Sequence, residues 1–217
     1  MQMTIGCLGR ARHGKGTVAQ LLHTWFTSRG ISAQIIAFAD PLKDFLTLLV
    51  GRSEPFRGDD AQRNAPIPEL TWKDIAFDIY MKAFKLWGVN QDASPTGRQL
   101  MQLFGTEVIR EGFCRSAWVR MAGSRAKAFD GVTLIDDMRF DNEARKKIDG
   151  GIIDVVLKTV RPGLPLLDHP SETAVDNVPL GWISNVFMND AGLPELTNKV
   201  FQYADQTWGA LCSPVAR

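Results

Sequence analysis

The stretch Thr4-Ile5-Gly6-Cys7-Leu8-Gly9-Arg10-Ala11-Arg12-His13-Gly14-Lys15-Gly16-Thr17-Val18-Ala19 constrains the fold more than any other part of the 217-residue chain. A short apolar run reads as a strand, a turn bounded by Gly9 and Gly14 follows, and an amphipathic helix opens at Lys15. Strand, glycine loop and helix N-terminus in this order make a phosphate-binding P-loop. The loop N–H groups and the positive end of the helix converge on one anion. Lys15 then serves as a flexible point charge for the β- and γ-phosphates of a nucleotide. Arg12, His13, Gly14, Lys15, Gly16 and Thr17 are the candidate ATP-binding residues. Many such loops carry a hydroxyl residue straight after the lysine; here that place holds Gly16, and the hydroxyl comes at Thr17. The competing reading is a glycine-rich strand–helix turn with a solvated lysine.

Composition narrows the class. Hydrophobic content of 45% and charged content of 23% are ordinary for a globular chain, and the length suits one domain or a domain with an inserted subdomain. A formal net charge of +1 gives no global field that would favour nucleic acid or a membrane surface. Cys7, Cys114 and Cys212 are far apart and odd in number, and His13, His23 and His169 are equally dispersed. They read as reduced thiols of a cytoplasmic protein, without a zinc site. No charged segment followed by a long apolar stretch opens the chain, so no signal peptide is expected. No apolar run approaches the ~20 residues that span a bilayer.

Val18, Leu21, Leu22, Trp25 and Phe26 recur at helical spacing after the loop, and Arg29-Gly30 ends that helix. Ile31 to Ala37 reads as a second strand, and a strand–helix–strand unit of this length needs a right-handed crossover and a parallel sheet. Asp40 reads as the cap of the next helix with Pro41 at its first position, and both Asp40 and Lys43 fall at a strand's carboxyl end, where α/β sheets bind ligands. Residues 51 to 70 are polar and turn-rich, with Arg52, Arg57 and Arg63, and are long enough to be functional or mobile. A helix is expected from Trp72 to Trp87, stopped by Gly88, and another opening at Thr96. In the latter Arg98 and Gln102 share a face. They read either as an ordinary polar surface or as a phosphate fork and a base-edge amide. Gly105 is costly within a helix and marks a break; Trp118 is read as core or as ligand contact.

Val132 to Ile135 lead into Asp136 and Asp137, as in a strand whose terminal carboxylate holds the water shell of Mg²⁺, and Arg139 follows into the same crevice. A helix is expected through Asn142 to Ile148, then a strand from Ile152 to Val160 ended by Arg161-Pro162-Gly163. The aperiodic run to Pro179, with Asp168-His169-Pro170-Ser171-Glu172, reads as a mobile lid in which His169 is given no catalytic part. Ile183 to Met188 reads as a last strand and Leu193 to Trp208 as the closing helix, with Leu196, Val200, Ala204 and Trp208 inward.

Several separated motifs then coincide: Gly14-Lys15-Gly16-Thr17-Val18-Ala19, Phe38-Ala39-Asp40-Pro41-Leu42-Lys43, Gly97 to Glu107 (Gly-Arg-Gln-Leu-Met-Gln-Leu-Phe-Gly-Thr-Glu) and Asp137-Met138-Arg139-Phe140-Asp141-Asn142-Glu143-Ala144. In this order they resemble the deoxynucleoside monophosphate kinases of tailed bacteriophages, over nearly the whole chain and least in 51 to 95 and after 190. Gly-Lys-Gly-Thr resembles the adenylate-kinase type of loop more than that of a GTPase. The family usually has an acid after the P-loop lysine, and this chain has Gly16.

The resemblance implies a three-layer α/β/α P-loop NTPase fold with a mainly parallel sheet of about five strands. Its core would comprise 1–50, 129–160 and 182–217, with a helical dNMP-binding insertion over 51–128 and a lid over 161–181. It also implies transfer of the ATP γ-phosphoryl group to a dNMP, giving dNDP and ADP for phage DNA synthesis. Lys15, Arg98, Arg139 and Arg161 would be catalytic. Asp40, Lys43, Arg98, Gln102, Gly105, Thr106, Trp118, Asp137 and Arg139 would bind the dNMP, and Thr17 and Asp136 would hold Mg²⁺. The partners are then small molecules, with neither nucleic acid nor membrane; Trp87, Trp182 and Trp208 leave a homodimer open. Two alternatives stand beside this reading: a P-loop kinase for another small phosphoacceptor such as dephospho-coenzyme A, and an ATP-binding switch or assembly protein without acceptor chemistry.

Overall fold

The computed structural model describes residues 2–166 and 170–212. Its elements are β1 (Met3–Leu8), α1 (Lys15–Thr27), β2 (Ala33–Ile36), α2 (Asp40–Val50), α3 (Glu54–Arg57), α4 (Asp60–Asn64), α5 (Phe77–Trp87), α6 (Gly97–Gln102), a π-helical segment (Leu103–Arg110), α7 (Ala117–Lys127), β3 (Val132–Met138), α8 (Asp141–Ala144), β4 (Val155–Val160), α9 (Pro170–Thr173), β5 (Ile183–Met188) and α10 (Leu193–Trp208), with short 3-10 turns between some of them.

All five strands join one parallel sheet in the order β2-β3-β1-β4-β5. The chain leaves β1 for the edge strand β2, returns to β3 between them, and then continues on the other side of β1 through β4 and β5. The strand order therefore reverses at β1, and a parallel sheet presents its ligand crevice beyond the carboxyl ends at such a reversal. Strands β1 and β3 are buried along most of their length, as parallel strands covered on both faces must be.

α1 and α10 cover one face. Ile5 and Cys7 of β1, Val132 and Leu134 of β3, Leu157 of β4 and Phe187 of β5 pack there against Val18, Leu22, Trp25 and Phe26 of α1 and Leu196, Val200, Ala204 and Trp208 of α10. Trp25 meets Phe26 edge to face at 5.0 Å, and Phe26 lies 5.2 Å from Trp208. Each such aromatic pair adds about 0.5–1.5 kcal/mol beyond the area it buries. The Trp25 indole N–H donates to Asp205 at 2.9 Å, so the ring's one polar atom is satisfied at the helix–helix seam. On the opposite face Gly6 leaves room for Met138 and Ile153: a Cβ there would lie 2.6 Å from the Met138 methyl. The result is the expected α/β class, a P-loop-type layered fold.

Several boundaries differ from the sequence reading for local reasons. The second strand is shorter, Ala33–Ile36. The helix expected through Ile148 stops at Ala144, because the chain turns extended at Arg145 and Lys146 pairs with Ile153. Asp154 is likewise outside β4: its carboxylate accepts the Thr4 N–H at 2.7 Å while its own N–H donates to the Thr4 carbonyl at 2.9 Å.

The described residues separate into two compact units, one from 1–38 and 121–217 and the other from 39–120. The second unit therefore begins at α2 and its far boundary falls inside α7. It has its own apolar interior, in which Phe56, Ile67, Trp72, Leu100 and Leu103 are fully buried. Residues 51 to 70, read as functional or mobile, are tied down. Asp59 and Gln62 form a reciprocal capping box at the start of α4. Arg52 pairs with Glu69 at 2.9 Å, and the Ile67 N–H donates to the Pro95 carbonyl at 2.8 Å. Trp72 begins a 3-10 turn, so the single helix expected from 72 to 87 starts only at Phe77 and ends at Gly88, whose φ of 62° closes it. No helix among the described residues is long and apolar enough to cross a membrane.

Gly97 opens α6 against backbone. A Cβ at this position would lie 1.8 Å from the Pro55 carbonyl oxygen, which cannot move aside as a flexible side chain can. Gly97→Ala is expected to lower stability by about 1–3 kcal/mol, read as a lower denaturant midpoint with an unchanged slope.

Candidate phosphate-binding site

The first unit builds the loop expected from the sequence. Its turn needs backbone that side chains resist: Arg12 has φ 62°, and Gly14, the residue before α1, has φ 102°. A Cβ on Gly14 would also lie 2.7 Å from the Asn189 side-chain nitrogen. That nitrogen donates to the His13 carbonyl at 3.1 Å, so the end of β5 braces the loop. His13 is buried, with a ring nitrogen 3.3 Å from the Thr159 carbonyl. Its imidazole therefore rests on the end of β4, and burial holds its pKa below the usual value. Arg12 is exposed.

Lys15 is the first residue of α1 and is 8% exposed. Its ammonium donates to the Arg10 carbonyl at 2.7 Å, folding the side chain back over the loop. Burial, and after it the neighbouring Arg139 cation, bring its pKa down to about 8, against the raising influence of Asp137, Glu172 and Asp136. Gly16 and Thr17 follow in the exposed first turn. A Cβ on Gly16 would lie 3.7 Å from an Asp136 carboxylate oxygen, an ordinary contact distance, so that carboxylate stands close to the start of α1. Cys7, fully buried beneath, has its thiol pushed up to about 12 by burial first and then by Asp136. It is an inert core residue, as its place in the first strand suggested.

Asp136 and Asp137 lie near the end of β3, where its pairing with β1 shifts register, and both carboxylates act on Lys15. Asp137 accepts the Phe38 N–H at 2.8 Å and so anchors the chain leaving β2. Arg139 comes next. Glu143, 4% exposed, accepts the backbone N–H groups of Arg139 at 2.9 Å and Phe140 at 3.0 Å, fixing the turn into α8. The Arg139 guanidinium donates to Glu172. Arg161 is exposed just past β4. Lys15, Asp136, Asp137 and Arg139 thus belong to neighbouring strand ends of one unit. His169 lies outside the described residues.

The remaining candidates belong to the second unit. Asp40 is the first residue of α2 itself, and its carboxylate lies 3.5 Å from the Lys43 ammonium and 3.4 Å from the Arg57 guanidinium. Arg98 is held by two acceptors from α4: its Nε donates to Asn64 and another guanidinium nitrogen to Asp60, each at 2.9 Å. Gln102 ends α6, and Gly105 and Thr106 lie in the π-helical segment. Gly105 is therefore not a break. The wider turn keeps the helix running and frees the Gly105 carbonyl to accept the Trp118 indole N–H at 2.9 Å. Trp118 is 9% exposed.

Three residues that hold the site drew no such role from the sequence: Asn189, Glu143 and Glu172. The acid at Glu143, four residues past Arg139, was the only local sign, a carboxylate in the first turn of a helix. Glu172 fell within the stretch read as a lid, with no role of its own, and nothing local distinguishes Asn189; they reach the loop from 161 and 176 residues away in sequence.

A polyanion bound at the loop stabilises the Lys15 ammonium and raises its pKa from about 8 in the free protein. Were ATP to bind there, proton uptake is expected at about pH 9, with affinity falling as pH rises through this range. Calorimetry in buffers of different ionisation enthalpy is expected to show the uptake, and Lys15→Met to abolish it.

No protein-family model matches the chain. Along 94% of its length it is similar to the deoxynucleoside-5'-monophosphate kinase of Escherichia phage T5, at 24% identity over 249 aligned positions that cover 97% of that protein.

Proposed function

We propose that the chain is an ATP-dependent deoxynucleoside monophosphate kinase. The observation that carries this reading is the pairing of two cations beside the glycine loop in one unit. Lys15 starts the helix after the loop, and Arg139 follows the adjacent strand close enough to depress the Lys15 pKa. Similarity to the phage T5 enzyme along almost the whole of both chains supports the nucleotide-kinase class.

In this reading an oxygen of the dNMP 5′-phosphate attacks the γ-phosphorus, the bond to the β–γ bridging oxygen breaks, and ADP and dNDP result. The nucleophile is already an anion, so no strong base is required; the protein contributes alignment and neutralisation of charge. Lys15 and the loop N–H groups take the ATP phosphates, with Arg12, His13, Gly14, Gly16 and Thr17 around them. Arg139, with Arg98 and Arg161, balances the acceptor phosphate and the transferring group. Asp40, Lys43, Gln102, Gly105, Thr106, Trp118 and Asp137 are assigned to the nucleoside.

Among the described residues no group of three His, Cys, Asp or Glu side chains forms a metal cage. Mg²⁺ suits the site nonetheless, because it binds such loops through phosphates and water with only one or two protein ligands. Thr17 and Asp136, the latter set against the start of α1, would hold it. When bound it supplies charge neutralisation at the β- and γ-phosphates.

A coupled ADP-release assay over the four common dNMPs and their ribose counterparts tests the reading; turnover with at least one dNMP is expected, and none with any would overturn it. Lys15→Ala is expected to keep the circular-dichroism spectrum and lose about 10²- to 10³-fold in kcat. Asp136→Asn is expected to raise the Mg²⁺ concentration needed for half-maximal rate.

A further inference from the structure

Glu172 has no part in the reaction just described, yet it is 3% exposed. One carboxylate oxygen accepts the N–H of Ala11, inside the glycine loop, at 3.0 Å. The other accepts from the Arg139 guanidinium. Four residues on, Asp176 pairs with Arg10 at 2.5 Å and lies 3.9 Å from the Lys158 ammonium. Val175 and Val178, 1% and 4% exposed, pin the same segment into the interior. Two consecutive loop residues, Arg10 and Ala11, are thus gripped by two acids of one short stretch.

We propose that Glu172 is a positioning residue that fixes the Arg139 guanidinium and the Ala11 edge of the glycine loop in the arrangement that receives phosphate, with Asp176 bracing Arg10 beside it. The proposal rests on the reading of this loop as the nucleotide site. A carboxylate repels phosphate, so Glu172 acts through its partners rather than on substrate. Its charge also offsets the mutual repulsion of two neighbouring cations, Lys15 and Arg139. A carboxylate buried alone is costly, and this one is balanced by a guanidinium and an amide, the donors suited to an anion. The apolar anchors on either side of Asp176 mark the segment as a fixed brace, not as a carboxylate waiting to be displaced by nucleotide.

The test uses full-length Glu172→Gln, which keeps shape and an acceptor oxygen but loses charge, together with Arg139→Gln and the double variant. ATP affinity is measured by calorimetry without acceptor, and kcat and KM with a dNMP. Glu172→Gln is expected to weaken ATP binding several-fold and to lower kcat by about tenfold or more, a larger change than that in KM for the dNMP. Added to Arg139→Gln it should lower kcat little further, because its partner is already gone. Should Glu172→Gln fail to fold, the double variant, which removes both charges of the pair, is compared with Arg139→Gln alone. Wild-type kcat in Glu172→Gln, tighter ATP binding, or fully multiplicative losses in the double variant would each overturn the proposal. If the wild-type protein transfers phosphate to no dNMP, the kinase reading fails and the binding measurement decides alone. Weaker ATP binding by Glu172→Gln then supports the brace, and unchanged or tighter binding overturns it.

Discussion

Lys15 is a cation taken largely out of water beside a second cation, Arg139. Left alone, that arrangement is unfavourable twice over, through desolvation and through like-charge repulsion. The surrounding structure offsets both. The Lys15 ammonium donates to a loop carbonyl, and Asp136, Asp137 and Glu172 favour its charged form. Arg139 has its guanidinium on Glu172 and its backbone on Glu143. Two neighbouring cations are thus balanced by carboxylates from three separate elements.

The sheet order makes that arrangement available. With β1 between β3 and β4, the loop leaving β1 has the acids of β3 on one side and the Thr159 carbonyl of β4 on the other. Asn189, at the end of β5, reaches the loop backbone from one strand further out. The aromatic seam of Trp25, Phe26 and Trp208 locks α1 to α10 and so keeps the helix that starts at Lys15 in register with the sheet. The second unit treats its arginines in the same way: Arg98 rests on Asp60 and Asn64, and Arg57 on Asp40 and Asp44. These exposed pairs are worth about 0–1 kcal/mol each.

What could be read locally was read well. The apolar runs marked β1, β3 and β5, helical spacing marked α1 and the four inward residues of α10, and the glycines marked the turn between β1 and α1. These signals arise within ten to twenty residues, where side-chain periodicity and turn chemistry act directly. Boundaries slipped where a contact outside the element took over the backbone: Lys146 pairing with Ile153 ends α8 early, and Asp154 bonding to Thr4 delays the start of β4. The π-helical turn at Gly105 was read as a break because local propensity penalises glycine in a helix. The Trp118 indole, thirteen residues on, supplies the compensating hydrogen bond.

The sequence by itself therefore determined the parallel α/β class, the loop from Gly9 to Thr17 and the acids ending β3, since each follows from patterns along a short stretch of chain. Only the tertiary structure decided how those groups are held. Glu172 on Ala11 and Arg139, Asn189 on His13, and Asp137 on Phe38 join residues far apart in sequence, and no local pattern encodes such pairings. They exist because a buried cation and a strained loop must find partners wherever the fold brings them, and that is settled by the order of strands in the sheet.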